Sequence, residues 1–120
     1  MGRDGAYLAR LNDTRRASVL CGTFEILLHA APGTMIVSVR APLLALPYEI
    51  ELCFHKVATA IARVENCDAA GLGALSWEWM GESRCDYFVL RRPCPSRTYP
   101  DAIERELRAI VSATRRETLH

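Results

Sequence analysis

The sequence predicts an α+β protein. The expected form is a two-layer sandwich, a four-stranded antiparallel sheet with two helices on one face. Its order is ββαββα, a circularly permuted ferredoxin-like layout, preceded by a short N-terminal arm or helix. Three observations predict it. Two stretches carry the β-rich, alternating pattern of half-buried hairpins. Each is followed by a segment whose apolar residues recur at three- and four-residue steps, the period of a helix. The two halves also echo each other at an offset of about 53 residues. Thr23-Phe24-Glu25-Ile26 answers Ser76-Trp77-Glu78-Trp79, and Pro47, Ile50 and Glu51 answer Pro100, Ile103 and Glu104. Two such ββα units build one sheet with both helices on the same side.

At 120 residues the chain suits a single domain, and folding at this size removes roughly two-thirds of the unfolded surface from water. Residues 1–17 read as an arm, in which Ala6, Leu8 and Leu11 line a short helix that Gly2, Gly5 and Asp13 weaken. The domain proper is set at 18–120. Its first stretch, SVLCGTFEILLHAAPGTMIVSVRAP, is two β-rich runs around the turn signal Ala31-Pro32-Gly33-Thr34. Pairing Ala30 with Met35 gathers Phe24, Ile26, Leu28, Val37 and Val39 on one face. The other face then sets Glu25 opposite Arg40, Leu27 opposite Ser38 and His29 opposite Ile36, the pattern of a half-buried hairpin.

In LPYEIELCFHKVATAIARVENC, Pro47 suits a first helical position, and Glu49 and Glu51 lie in the first turn, where the helix dipole favours anions. Ile50, Phe54, Val57, Ile61 and Val64 form an apolar stripe, so a helix is expected from about Tyr48 to about Asn66. The stretch SWEWMGESRCDYF then places two strands around a turn at Gly81-Glu82-Ser83. With Met80 opposite Cys85, Leu75, Trp77, Phe88 and Leu90 share one face, and Ser76, Glu78, Met80, Tyr87 and Val89 share the other. The tryptophan side faces the helices, because the other side carries Glu78. Trp79, nearer the turn and opposite Asp86, is expected to be only partly covered. Last, YPDAIERELRAIVSATRRETLH is a second amphipathic helix. Pro100 opens it, Asp101 and Glu104 charge its start, Arg115 and Arg116 sit near its end, and Ile103, Leu107, Ile110 and Val111 form the buried stripe.

The run GLGALSWEWMGESRCDYFVL followed by a helix resembles the C-terminal half of small bacterial α+β proteins. In these a Gly-x-Gly segment leads into a strand, a turn and a Tyr-Phe strand before the last helix. The resemblance covers about a third of the chain. It breaks at Val89-Leu90-Arg91, where those proteins often carry a polar Gly-Pro-Asp step, and it implies no activity.

The charge balance, 15 basic against 14 acidic residues, gives no reason to expect a nucleic-acid backbone or an anionic membrane as partner. Arginine supplies 14 of the basic residues and Lys56 the other, and there are 16 alanines, a skew that fits a GC-rich bacterial genome. No stretch reaches 18 apolar residues, and the N-terminus has no apolar leader, so a cytoplasmic protein is expected. Cys21, Cys53, Cys67, Cys85 and Cys94 lack C-x-x-C spacing and read as free thiols, several of them buried.

Each chemical motif has a plain counterpart. Trp77 and Trp79 resemble a base-stacking pair, but the strand register turns Trp77 to the helices. His29 and His55 lack a nucleophile or carboxylate at a catalytic spacing. Cys53, Cys67 and His55 do not make a zinc pattern, and Gly71-Leu72-Gly73 lacks the third glycine and lysine of a phosphate loop. Neither metal nor cofactor is implied. Arg84, Arg91, Arg92 and Arg97 form a basic cluster, read first as a solvated strand end and second as a site for an acidic surface. The outward sheet face mixes apolar side chains with an aromatic and paired charges, which is the texture of an interface. The expected function is therefore a non-catalytic protein-binding module, such as a toxin-neutralising immunity protein or a regulatory subunit, which engages a protein partner or a second copy. Glu25, His29, Arg40, Glu78 and Tyr87 are its candidate partner-binding residues. A second reading stays open: a small enzyme or ligand-binding domain with a pocket between sheet and helices, using His29, Glu25 or Tyr87.

Overall fold

The computed structural model describes residues 16–72, 75–81 and 85–119. The arm assigned to 1–17 falls outside them, except for Arg16 and Ala17. The described elements are strands β1 (Arg16–Cys21), β2 (Phe24–Ala31) and β3 (Thr34–Pro42), helix α1 (Pro47–Val64), a 3-10 turn (Ala69–Leu72), strands β4 (Glu78–Gly81) and β5 (Cys85–Pro93), and helix α2 (Tyr99–Leu119). All five strands form one antiparallel sheet in the order β1-β2-β3-β5-β4.

The sheet thus has five strands rather than four. The extra one is β1, which the sequence hides by running straight on into β2. Gly22 breaks the run with a φ of 62°, while Thr23 keeps a negative φ. A left-handed first residue is what the two-residue II′ hairpin turn requires. Cys21 therefore pairs with Phe24, and Arg16 is carried back to His29.

The β2–β3 register is the expected one, with Ala30 opposite Met35 and Glu25 opposite Arg40. The β4–β5 register differs. Met80 lies opposite Tyr87 rather than Cys85, and Trp79 opposite Phe88 rather than Asp86. A slip of two residues leaves every side chain on its face, because strand faces alternate with period two. The turn residues Glu82 and Ser83 lie outside the described residues.

Helix α1 begins at Pro47, one residue before the expected start. The Leu46 N–H is satisfied by Glu49 Oε1 at 2.9 Å. The helix ends in a Schellman motif: Cys67 N–H donates to Ala62 O (2.9 Å) and Asn66 N–H to Arg63 O (3.3 Å), with Asn66 at a φ of 58°. The inward side chains of β1, β2, β3 and β5 meet Cys53, Val57, Ala60 and Ile61 of α1 and Ile103, Leu107 and Val111 of α2 in one core. Arg108 Nη2 donates to Ser18 O at 3.0 Å and sets α2 along β1, while Phe54 sets α1 over β5 and β4. Both helices therefore cover the same sheet face, and no described helix covers the other, called the open face below.

Candidate functional site

The open face follows from strand alternation. Three cross-strand rows compose it: Leu20–Glu25–Arg40–Tyr87–Met80, Ser18–Leu27–Ser38–Val89–Glu78, and Arg16–His29–Ile36–Arg91. At about 4.8 Å between strands the two five-residue rows run about 19 Å across and the four-residue row about 14 Å. Glu25, His29, Arg40, Glu78 and Tyr87, the five residues singled out from sequence, all stand on this face. The layer between sheet and helices is filled instead by Ile26, Met35, Val37, Val39, Val57, Ile61, Ile103 and Leu107, each with no exposed area. The side chains that a pocket there would have used, Glu25, His29 and Tyr87, point the other way.

The polar groups of the face are organised around two glutamates. Glu25 accepts a 2.8 Å hydrogen bond from Ser18 Oγ and lies 3.8 Å from Arg40 Nη1. The Arg40 guanidinium carbon stands 6.0 Å from the centre of the Tyr87 ring, within reach of a cation–π contact. In the second hairpin, Arg91 Nη1 lies 3.2 Å from Glu78 Oε2. Each ββ unit thus carries a Glu–Arg pair on its outer side, which extends the echo between the two halves. Exposed pairs of this kind contribute at most about 1 kcal/mol to folding. Their larger effect is to fix a charge pattern on a surface where Leu20 (65% exposed) and Met80 (52%) remain open.

The arginine cluster does not form as expected. Arg91 turns outward to Glu78, and Arg92 turns inward to Glu65 Oε2 at 2.7 Å, because neighbours on a strand face opposite ways. Arg97 is exposed, and Arg84 lies outside the described residues. Trp77 stacks on Phe54 with ring centres 4.3 Å apart and planes 10° from parallel, so it belongs to the helix–sheet contact. Trp79 lies on the same side but is 65% exposed, and its Nε1 donates to Asp86 Oδ1 at 3.1 Å. Its ring lies over Gly81, where an added Cβ would come within 2.4 Å of it.

Sequence reasoning missed a second polar cluster. Glu65 at the end of α1 accepts from Arg92 of β5 and, at 2.5 Å, from the Tyr99 hydroxyl at the start of α2. Residues so far apart in the chain carry no shared sequence signal. Burial works against the Glu65 charge, yet the Tyr99 and Arg92 hydrogen bonds hold its carboxyl below the usual range. Burial first, and the bond to Glu65 second, push the Tyr99 phenol up to about 12. Burial, with Cys21 adding to it and Lys56 opposing, pushes the Cys53 thiol up to about 12. Lys56 Nζ stands 3.4 Å from Cys21 Sγ.

These shifts fix a pH dependence. Tyr99 and Cys53 hold their protons more tightly when folded, so their contribution is complete below the ordinary values of 10.0 and 9.0 and is lost as pH rises toward about 12. Glu65 has the opposite sign: its contribution is present above 4.5 and lost as pH falls through the lowered folded value. Urea midpoints should therefore decline from about pH 9 upward. Tyr99→Phe should flatten the part of the decline above pH 10. An unchanged slope in that variant would contradict this account of the cluster.

Among the described residues, no group of three or more His, Cys, Asp or Glu side chains is placed to hold a metal ion, and no helix is long and apolar enough to cross a membrane. Comparisons with protein-family models, curated proteins and solved structures return no match.

Proposed function

We propose that the chain is a protein-binding module that works through the open face of its sheet and carries no chemistry of its own. The observation that supports this most is the gathering of Glu25, Arg40, Tyr87, Glu78 and Arg91 with exposed Leu20 and Met80 on the sheet face that no described helix covers. Arginine and tyrosine set among apolar groups are the residue types that dominate binding energy at interfaces. The partner is a second protein, as for a toxin-neutralising immunity protein or a regulatory subunit, or a second copy of the chain. A bacterial, cytoplasmic setting goes with this reading, supported by the free thiols of Cys21, Cys53, Cys67 and Cys94. Strands β2-β3-β5-β4 with the two helices are read as the permuted ferredoxin-like unit. Their spatial order is the one a circular permutation of that sheet gives, and β1 is added at one edge.

Charge reversal tests the reading. Arg40→Glu and Glu78→Arg should each weaken the complex about tenfold or more, because a like charge is then forced against the partner. The melting temperature should move little, because exposed pairs contribute so little to folding. Partner binding at wild-type strength by both variants would remove the open face from the interface.

A further inference from the structure

A second surface lies on the helix side of the molecule, where β3 runs into α1. Leu43 (60% exposed), Leu44 (93%), Leu46, Tyr48, Leu52 and Trp79 are all exposed large apolar residues. The chain path brings them to one end. Leu43, Leu44 and Leu46 leave β3 directly after Pro42. Tyr48 and Leu52 are one turn apart on the outer side of α1, whose inner side presents Cys53 and Val57 to the core. The Trp79 ring lies over Gly81, and Gly81 pairs with Asp86, which pairs with Ala41, the residue before Pro42. The indole therefore sits at the end of the sheet from which the leucines depart. The core does not need these side chains, and exposed apolar groups gathered in this way mark contact surfaces.

Among the described residues the charges beside them are mainly acidic: Glu49, Glu51 and Asp86 against Lys56, one turn after Leu52. From Ala41 to His55 there is neither lysine nor arginine, whereas Glu49 and Glu51 lie in that span and Asp86 bonds the Trp79 indole. We propose that this apolar, acid-rimmed end docks a polypeptide segment whose apolar side chains are flanked by lysine or arginine. Charge complementarity argues for that occupant. The acidic rim would repel an anionic membrane surface, and a two-fold contact with a second copy would bring together two surfaces with the same acidic excess. The site is separate from the open face and does not rest on the function assigned to it.

The test is an NMR titration of the full chain with a synthetic amphipathic peptide of leucine and arginine, about 16 residues or four helical turns long, and with its leucine–glutamate counterpart. The basic peptide should shift the amides of residues 43–52 and the Trp79 indole N–H in a saturable way. The acidic peptide should bind at least about tenfold more weakly. Leu44→Ser combined with Leu52→Ser should cost the basic peptide about tenfold in affinity with no loss of fold, since both side chains are exposed. Equal binding of the two peptides, wild-type binding by the double variant, or loss of binding in Arg40→Glu would overturn the proposal. So would a dimer, or attachment to phosphatidylcholine vesicles, that depends on Leu44 and Leu52 while the basic peptide fails to bind. Those results would assign the surface to a second copy or to lipid.

Discussion

Leu107→Ala should destabilise the protein by about 3 kcal/mol and lower its melting temperature by about 12 °C. Leu107 has no exposed area and sits between Ile103 and Val111 on the stripe that α2 turns to the sheet. Removing its branched end takes away the transfer free energy of the lost carbons and leaves a cavity that a close-packed interior closes only in part. Against a domain stability of about 5–15 kcal/mol, that loss is large. Leu52→Ala makes the same chemical change on α1 at a position that is 52% exposed, and should move stability by no more than about 0.5 kcal/mol. Urea unfolding of the two variants checks the pair. A Leu107 loss below about 1 kcal/mol would mean that α2 is not packed on the sheet as described.

Phe54→Ala should cost about 2–3 kcal/mol, somewhat less than a fully buried phenylalanine because this ring is only half-buried. Its ring stacks on Trp77 and meets Phe88 edge-on at 5.2 Å between centres, so it joins α1 to both β5 and the approach to β4. Part of the loss is the aromatic pairing itself, about 0.5–1.5 kcal/mol beyond the area buried. Phe54→Leu keeps most of the buried area and should lose about 1 kcal/mol. Tryptophan emission should shift red in Phe54→Ala as water reaches Trp77. If Trp77 were instead an open stacking platform, Phe54→Ala would leave both stability and emission unchanged.

The parts of the fold that were legible in the sequence are those with a strong period or a strong turn. Ala31-Pro32-Gly33-Thr34 fixed the β2–β3 register to the residue, and Pro47 located the start of α1 to within one. β1 was not legible, because Val19–Cys21 and Phe24–Leu28 read as one run, and only the left-handed Gly22 divides them. The β4–β5 register was off by two, because the span from Met80 to Cys85 carries no residue that dictates where pairing begins. Face assignment survived that slip, so Glu78 and Tyr87 still stand on the open face beside Glu25, His29 and Arg40, whose register was the expected one. Arg16 and Leu20 join that face only through β1, so they were missed with it. The Glu65–Arg92–Tyr99 cluster depends on contacts 27 and 34 residues apart in the chain, and the alternation that separates Arg91 from Arg92 was overlooked in favour of their adjacency.

The open sheet face is proposed to bind a protein. The most direct test is to purify the tagged chain at low salt from the cells it comes from and weigh the intact complex by mass spectrometry, with Arg40→Glu/Glu78→Arg treated in parallel. A stoichiometric protein partner, or a second copy, should be found on the wild-type chain and be lost from the double variant. A bare monomer from wild type, or the same complex retained by the double variant, would contradict the proposal.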